Sequence, residues 1–157
     1  MKGYRVKSVT FSNHKRAFTL RIVGRPGKDY VVPYSYAGVD GPVDSAEADA
    51  EIGKHGFIWR TRGGKGDTML VEQVLHMHRD PEVIRTHLLH KLSIRAERLR
   101  QERGISAAVL AEMAGTTPAR VSHLLKPHTY KNKSLWAMLR LLIVLGDDIE
   151  RKLIDAA

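Results

Sequence analysis

The chain has 157 residues, 43% of them hydrophobic, and a formal net charge of +9 at pH 7, which suits one medium or two small soluble domains and favours polyanionic partners. It contains no cysteine, and this excludes disulfides, thiolate zinc sites and thiol nucleophiles together. The longest apolar run, residues 141–145, is too short to span a bilayer, and no leading run resembles a signal peptide, so a soluble, cytoplasmic protein is expected, with no membrane partner.

Residues 4–11, YRVKSVTF, alternate as a strand does, with Tyr4, Val6, Val9 and Phe11 marking the inward positions. After turn residues at 12–15, the segment 16–23 places Phe18, Leu20 and Ile22 on one face and Arg21 on the other, and a hairpin is expected. A strong turn at 25–29 leads to a third strand at 30–33, closed by Pro33. The acidic, turn-rich stretch 34–53 predicts at most a short helix over 45–52, opened by Ser45. A fourth strand is expected at 56–61. The glycine loop 62–67, RGGKGD, invites a phosphate-binding reading through an anion nest, but it lacks the GxxxxGK[ST] spacing and is better read as a loop between strands.

Residues 71–77 predict a short helix. Asp80-Pro81-Glu82 then opens a long one over 81–103, with an acceptor at the cap and proline at the first helical position. Ile84, Leu88, Leu92 and Leu99 lie close to one face with Ala96 between them, and no flexible linker interrupts the stretch, so two domains in a fixed relation are expected. The predicted organisation is α+β: a small antiparallel β-sheet domain at 1–79 and an all-α bundle of about five helices at 80–157, joined by the long helix.

Within the second part, residues 104–125 read as two short helices around a tight turn. Ser106 caps the first, whose apolar positions include Val109, Leu110, Met113 and Ala114, and Gly115 ends it. Thr117 caps the second ahead of Pro118, and Val121 and Leu124 should face inward, leaving Ala119, Arg120, Ser122 and His123 towards solvent. Between Arg95 and Arg140 nine lysines or arginines stand against three acids, whereas residues 40–51 hold five acids and no base. This clustering of positive charge points to a nucleic-acid face.

From Leu92 to Leu145 the chain resembles the lambda-repressor/Cro-type helix-turn-helix domain. The residues that carry the likeness are Leu92, Ala96 and Leu99; RxxRG at 100–104 with Ile105-Ser106; Leu110-Ala111 and Gly115; Thr117; Val121 and Leu124; and SLWAMLRLLIVLG at 134–146. The resemblance implies a DNA-binding transcriptional regulator, of the kind found with toxin–antitoxin pairs or phages, acting as a homodimer on double-stranded DNA. It places Ser106, Thr117, Ala119, Arg120, Ser122, His123, Lys126, His128, Lys131 and Lys133 at the DNA. Of these, Arg120 and His123 are the expected base contacts, and Lys126, Lys131 and Lys133 the phosphate grips. Two departures stand out: Ala107 replaces a usual glutamine, and Pro118 and Ala119 occupy positions where polar base-reading residues are usual. The N-terminal part resembles a small bacterial domain of unknown function, which pairs a β-meander with a helix and sometimes accompanies helix-turn-helix domains. Residues 4–11, Phe18 to Ile22, Tyr34 to Ala37 and Ile58-Trp59 carry that likeness. Dimerisation, effector sensing or protein docking would be its role.

Val109, Met113, Trp136 and Ile143 fall at outward helix positions and predict a partner surface. The alternative function is therefore a protein-interaction adaptor with a structural helix-turn-helix. A last helix at 147–157, with Ile149, Leu153 and Ile154 at near-helical spacing, would join that contact. His76, His78, His87 and His90 do not form a ligand set by spacing, so no metal, cofactor or catalytic residue is expected.

Overall fold

The structure, a computed structural model, describes residues 3–149 and 151–152. It is α+β, with two three-stranded antiparallel sheets and, later along the chain, mostly helices. Two compact units, Met1–Val83 and Ile84–Ala157, each enclose a separate hydrophobic core.

In the first unit β1 (Val6–Ser12), β2 (Ala17–Ile22) and β3 (Tyr30–Pro33) form one sheet in that order. The alternation in β2 sends Phe18, Leu20 and Ile22 into the core, as period two requires. Val6 is buried likewise, whereas Phe11, beside the hairpin turn, stays exposed. One helical turn, α1 (Tyr34–Ala37), stops at Gly38, whose φ of 71° suits glycine. A second sheet follows, built from β4 (Val43–Ala48), β5 (Gly56–Thr61) and β6 (Gly66–Leu70). The helix expected over 45–52 is thus replaced by β4. Pairing with β5, in which Ala46 faces Trp59 and Ala48 faces Phe57, overrides the helical preference of an Ala/Glu-rich segment. The glycine loop 62–67 turns β5 into β6, with Thr61 N–H donating to the Lys65 carbonyl at 2.8 Å. Helix α2 (Val71–Met77) adds Val71, Val74 and Leu75 to the core.

Phe18 is the hub of this interior, its ring centroid 4.8 Å from Tyr34, 5.0 Å from Phe57 and 5.5 Å from Trp59. The Asn13 side chain links the two sheets: it donates to the Val43 carbonyl at 2.9 Å and accepts from the Val43 N–H at 2.8 Å and the Tyr34 hydroxyl at 3.0 Å. Asn13→Ala strips partners from three polar groups, the Val43 amide and carbonyl and the Tyr34 hydroxyl. The expected loss is about 1–2 kcal/mol of stability, read from the urea midpoint.

Helix α3 (Pro81–Glu102) starts in the first unit, and its residues from Ile84 onward belong to the second. Asp80 caps it as expected, its Oδ1 accepting from the Glu82 and Val83 amides at 3.1 and 3.3 Å, while Arg25 holds the carboxylate at 3.1 Å. The inward face of α3 is turned from the expected one: Leu89, Ser93 and Ala96 are buried, Leu92 and Leu99 are half-buried, and Leu88 is exposed. With α4 (Ala107–Ala114), α5 (Pro118–Leu125) and α6 (Leu135–Val144), it encloses the second core. Residues 149, 151 and 152 are helical as well, where the last of the five expected helices falls. Ile149 packs against that core, and Leu153 and Ile154 of the expected last helix lie outside the described residues. No helix among the described residues is long and apolar enough to cross a membrane.

Candidate nucleic-acid interface

The local chemistry at 104–125 explains why two helices form there. Ser106 Oγ accepts from the Val109 amide at 3.1 Å, filling the cap of α4. Gly115, at φ 62°, ends that helix in the left-handed conformation, and its N–H returns to the Ala111 and Glu112 carbonyls. Thr117 Oγ1 accepts from the Arg120 amide at 3.2 Å, and Pro118 at the first position of α5 forgoes a donor the helix cannot use. Only three residues separate the helices, so Leu110, Ala111 and Ala114 of one and Val121, Leu124 and Leu125 of the other share a core.

Those buried positions fix which side of α5 faces out. At about 100° per residue, the line opposite Val121, Leu124 and Leu125 runs closest to Ala119, His123 and Lys126, with Ser122 to one side; Ala119, Ser122 and Lys126 are exposed. Arg120 lies on one flank, half-buried beside Thr116, Trp136 and Arg140. His123 is also half-buried and its Nε2–H donates to the Lys131 carbonyl at 2.8 Å, so that donor is not free to meet a base. The two expected base contacts are therefore less exposed than their neighbours Ala119 and Ser122.

The loop after α5 is tied down at several points. Lys131 and His128 are exposed, and the His128 ring lies 5.1 Å from His90, whose Nδ1–H donates to the Pro127 carbonyl at 3.1 Å. Arg85 donates to the Lys133 carbonyl at 2.8 Å. Lys133 itself corrects the sequence expectation. Its side chain is buried, and the ammonium donates to Ser93 Oγ at 3.0 Å and to the Lys126 carbonyl, while Ser93 Oγ–H donates to the Leu124 carbonyl at 2.8 Å. Burial, with Arg120's charge nearby, pushes the Lys133 ammonium down to about 8. Lys133 braces the loop from inside and does not reach a phosphate.

Other positive residues are engaged within the unit as well. Arg95 forms a two-pronged pair with buried Asp147, Arg98 pairs with Glu102 at 3.5 Å, Arg100 with Glu97 at 2.8 Å, and Arg103 donates to the Gly146 carbonyl at 3.3 Å. Among the described residues, Arg120, Lys126, Lys131 and Arg140 make no ion pair. They lie on or beside α5 and are free to meet an anionic surface; Lys91, on α3, is exposed and makes no ion pair either.

The four residues read as a partner surface do stand out from the core. Val109, Met113 and Ile143 are about half exposed and Trp136 is 70% exposed, near the α4–α5 turn. Residues that sequence reasoning missed are Ser93 and Asp147, the buried partners of Lys133 and Arg95; neither has a spacing signal. The histidines are dispersed: His78 donates from Nε2 to the Val31 carbonyl at 2.9 Å, His90 lies in the other unit, and no group of three or more possible metal ligands occurs among the described residues. Comparison with protein-family models, with curated proteins and with solved structures gives no match for this chain.

Proposed function

We propose that this protein is a DNA-binding transcriptional regulator, in which α4 and α5 form a helix-turn-helix and α5 enters the major groove of a duplex. The observation that carries the reading is the capped, proline-led α5, whose residues Ala119, Ser122 and Lys126 are exposed and flanked by the unpaired cations Arg120, Lys131 and Arg140. Ser106 and Thr117 place helix N-termini where phosphates bind well, and the basic residues supply a sequence-independent grip. The exposed quartet Val109, Met113, Trp136 and Ile143 suits a second copy, so that two recognition helices meet a two-fold site.

Fluorescence anisotropy with a labelled random-sequence duplex tests this. Four phosphate-neutralising cations give a slope of log K against log salt near −3.6, so each protomer should lose about a hundredfold in affinity between about 50 and 200 mM salt. Arg120→Ala should flatten that slope by about one unit. No binding at the lower salt overturns the reading. It would favour the second reading, a protein-interaction adaptor whose contact is the apolar quartet around Trp136.

A further inference from the structure

We infer, resting on the duplex-binding reading, that α5 selects sites carrying thymine at the bases beneath Pro118 and Ala119, because the foremost part of its reading face holds no hydrogen-bonding side chain. The buried residues Val121, Leu124 and Leu125 orient the helix so that Ala119 lies on its outermost line with Ser122 exposed to one side, and Pro118 sits exposed at its first position. A recognition helix meets base edges mainly with its N-terminal residues. Here those residues present a methyl group and a pyrrolidine ring, neither of which donates or accepts.

The longer polar neighbours do not compensate. Arg120 is half-buried on the flank against Trp136 and Arg140, and the His123 Nε2–H is committed to the Lys131 carbonyl. The base edges under Ala119 are therefore met by carbon. In the major groove guanine, adenine and cytosine present donors or acceptors at every edge, and covering those without a partner is unfavourable. Thymine alone offers an apolar group, its C5-methyl. Ser122, one turn further on, has a hydroxyl that both donates and accepts and so tolerates several bases. The face reads one feature, a methyl group, and little else.

The test starts from sequences enriched by the intact chain from a random duplex pool. The enriched duplex is resynthesised with deoxyuridine in place of thymidine, one position at a time, which deletes only the methyl. At one or two positions the intact protein should bind the uracil duplex about fourfold more weakly, the amount expected for one buried methyl group. In Ala119→Gly the thymine-to-uracil ratio should fall to one at the position beneath residue 119, while any position read by the Pro118 ring keeps its ratio. Because the ratio compares two duplexes on the same protein, any loss of folded fraction in the variant cancels. Equal binding of thymine and uracil duplexes at every position, or a pool that binds without enriching any sequence, overturns the thymine inference and leaves duplex binding standing. A pool that shows no binding at low salt overturns both.

Discussion

Arg95→Ala should lower the unfolding free energy by about 2–4 kcal/mol, because it strands a carboxylate that the fold has taken out of water. The Asp147 side chain is 1% exposed and receives the Arg95 guanidinium in a two-pronged pair, with Nη2 to Oδ1 at 2.6 Å. Asp148 adds a weaker contact to the same guanidinium at 3.6 Å. Arg95 is 34% exposed, so water screens part of the interaction, which keeps the effect towards the low end of a fully buried pair. Urea unfolding followed by circular dichroism gives the value. The double variant Arg95→Ala/Asp147→Ala should cost clearly less than the two single losses combined, since neither charge is then left alone. Additive losses would mean that the pair contributes little and that the cost is one of packing.

Stability should rise, not fall, as pH increases from 7 to 10, by about 2–3 kcal/mol, and Lys133 is the cause. Its ammonium titrates near 8 in the folded chain against 10.5 ordinarily, lowered by burial first and by Arg120 second. Between those values the unfolded chain binds more protons than the folded one, so removing protons from solution favours folding. Tyr4, Tyr30 and Tyr34 are raised, chiefly by burial, and pull the opposite way above about pH 10, which sets the upper end of the window. Urea midpoints at pH 7, 8, 9 and 10 check this. Lys133→Met should flatten the profile over the same range. A profile equally steep in the variant would assign the proton to another group.

The local signals in the sequence were largely sufficient for the elements. Asp80, Ser106, Thr117 and Ser134 each precede a helix and each accept from a backbone amide of its first turn, because capping is a matter of two or three neighbouring residues. The period-two run Phe18–Leu20–Ile22 fixed β2 in the same way. What failed depended on distant partners. Residues 43–48, VDSAEA, contain one large apolar residue and three good helix formers, and only β5 alongside them makes a strand of that stretch. On α3, counting leucines favoured the stripe through Leu88, whereas the buried line passes through Leu89, Ser93 and Ala96; a serine belongs there only because the Leu124 carbonyl and Lys133 satisfy it. Lys133 looked like one more surface cation for the same reason. In the candidate site, the face of α5 followed from Val121 and Leu124, but the withdrawal of His123 towards Lys131 did not, since that contact depends on how a loop folds back.

The two separate interiors have a consequence for how the chain is made. Every buried member of the first core lies between Val6 and Leu75, and every one of the second between Leu89 and Leu145. Synthesis from the N-terminus therefore releases a complete set of β-rich core residues before the first buried leucine of the helical half exists, so a nascent chain need not hold greasy sheet residues open while it waits for distant sequence. Damage obeys the same partition: a cavity cut near Phe18 weakens one interior and leaves intact the side chains that set the attitude of α5.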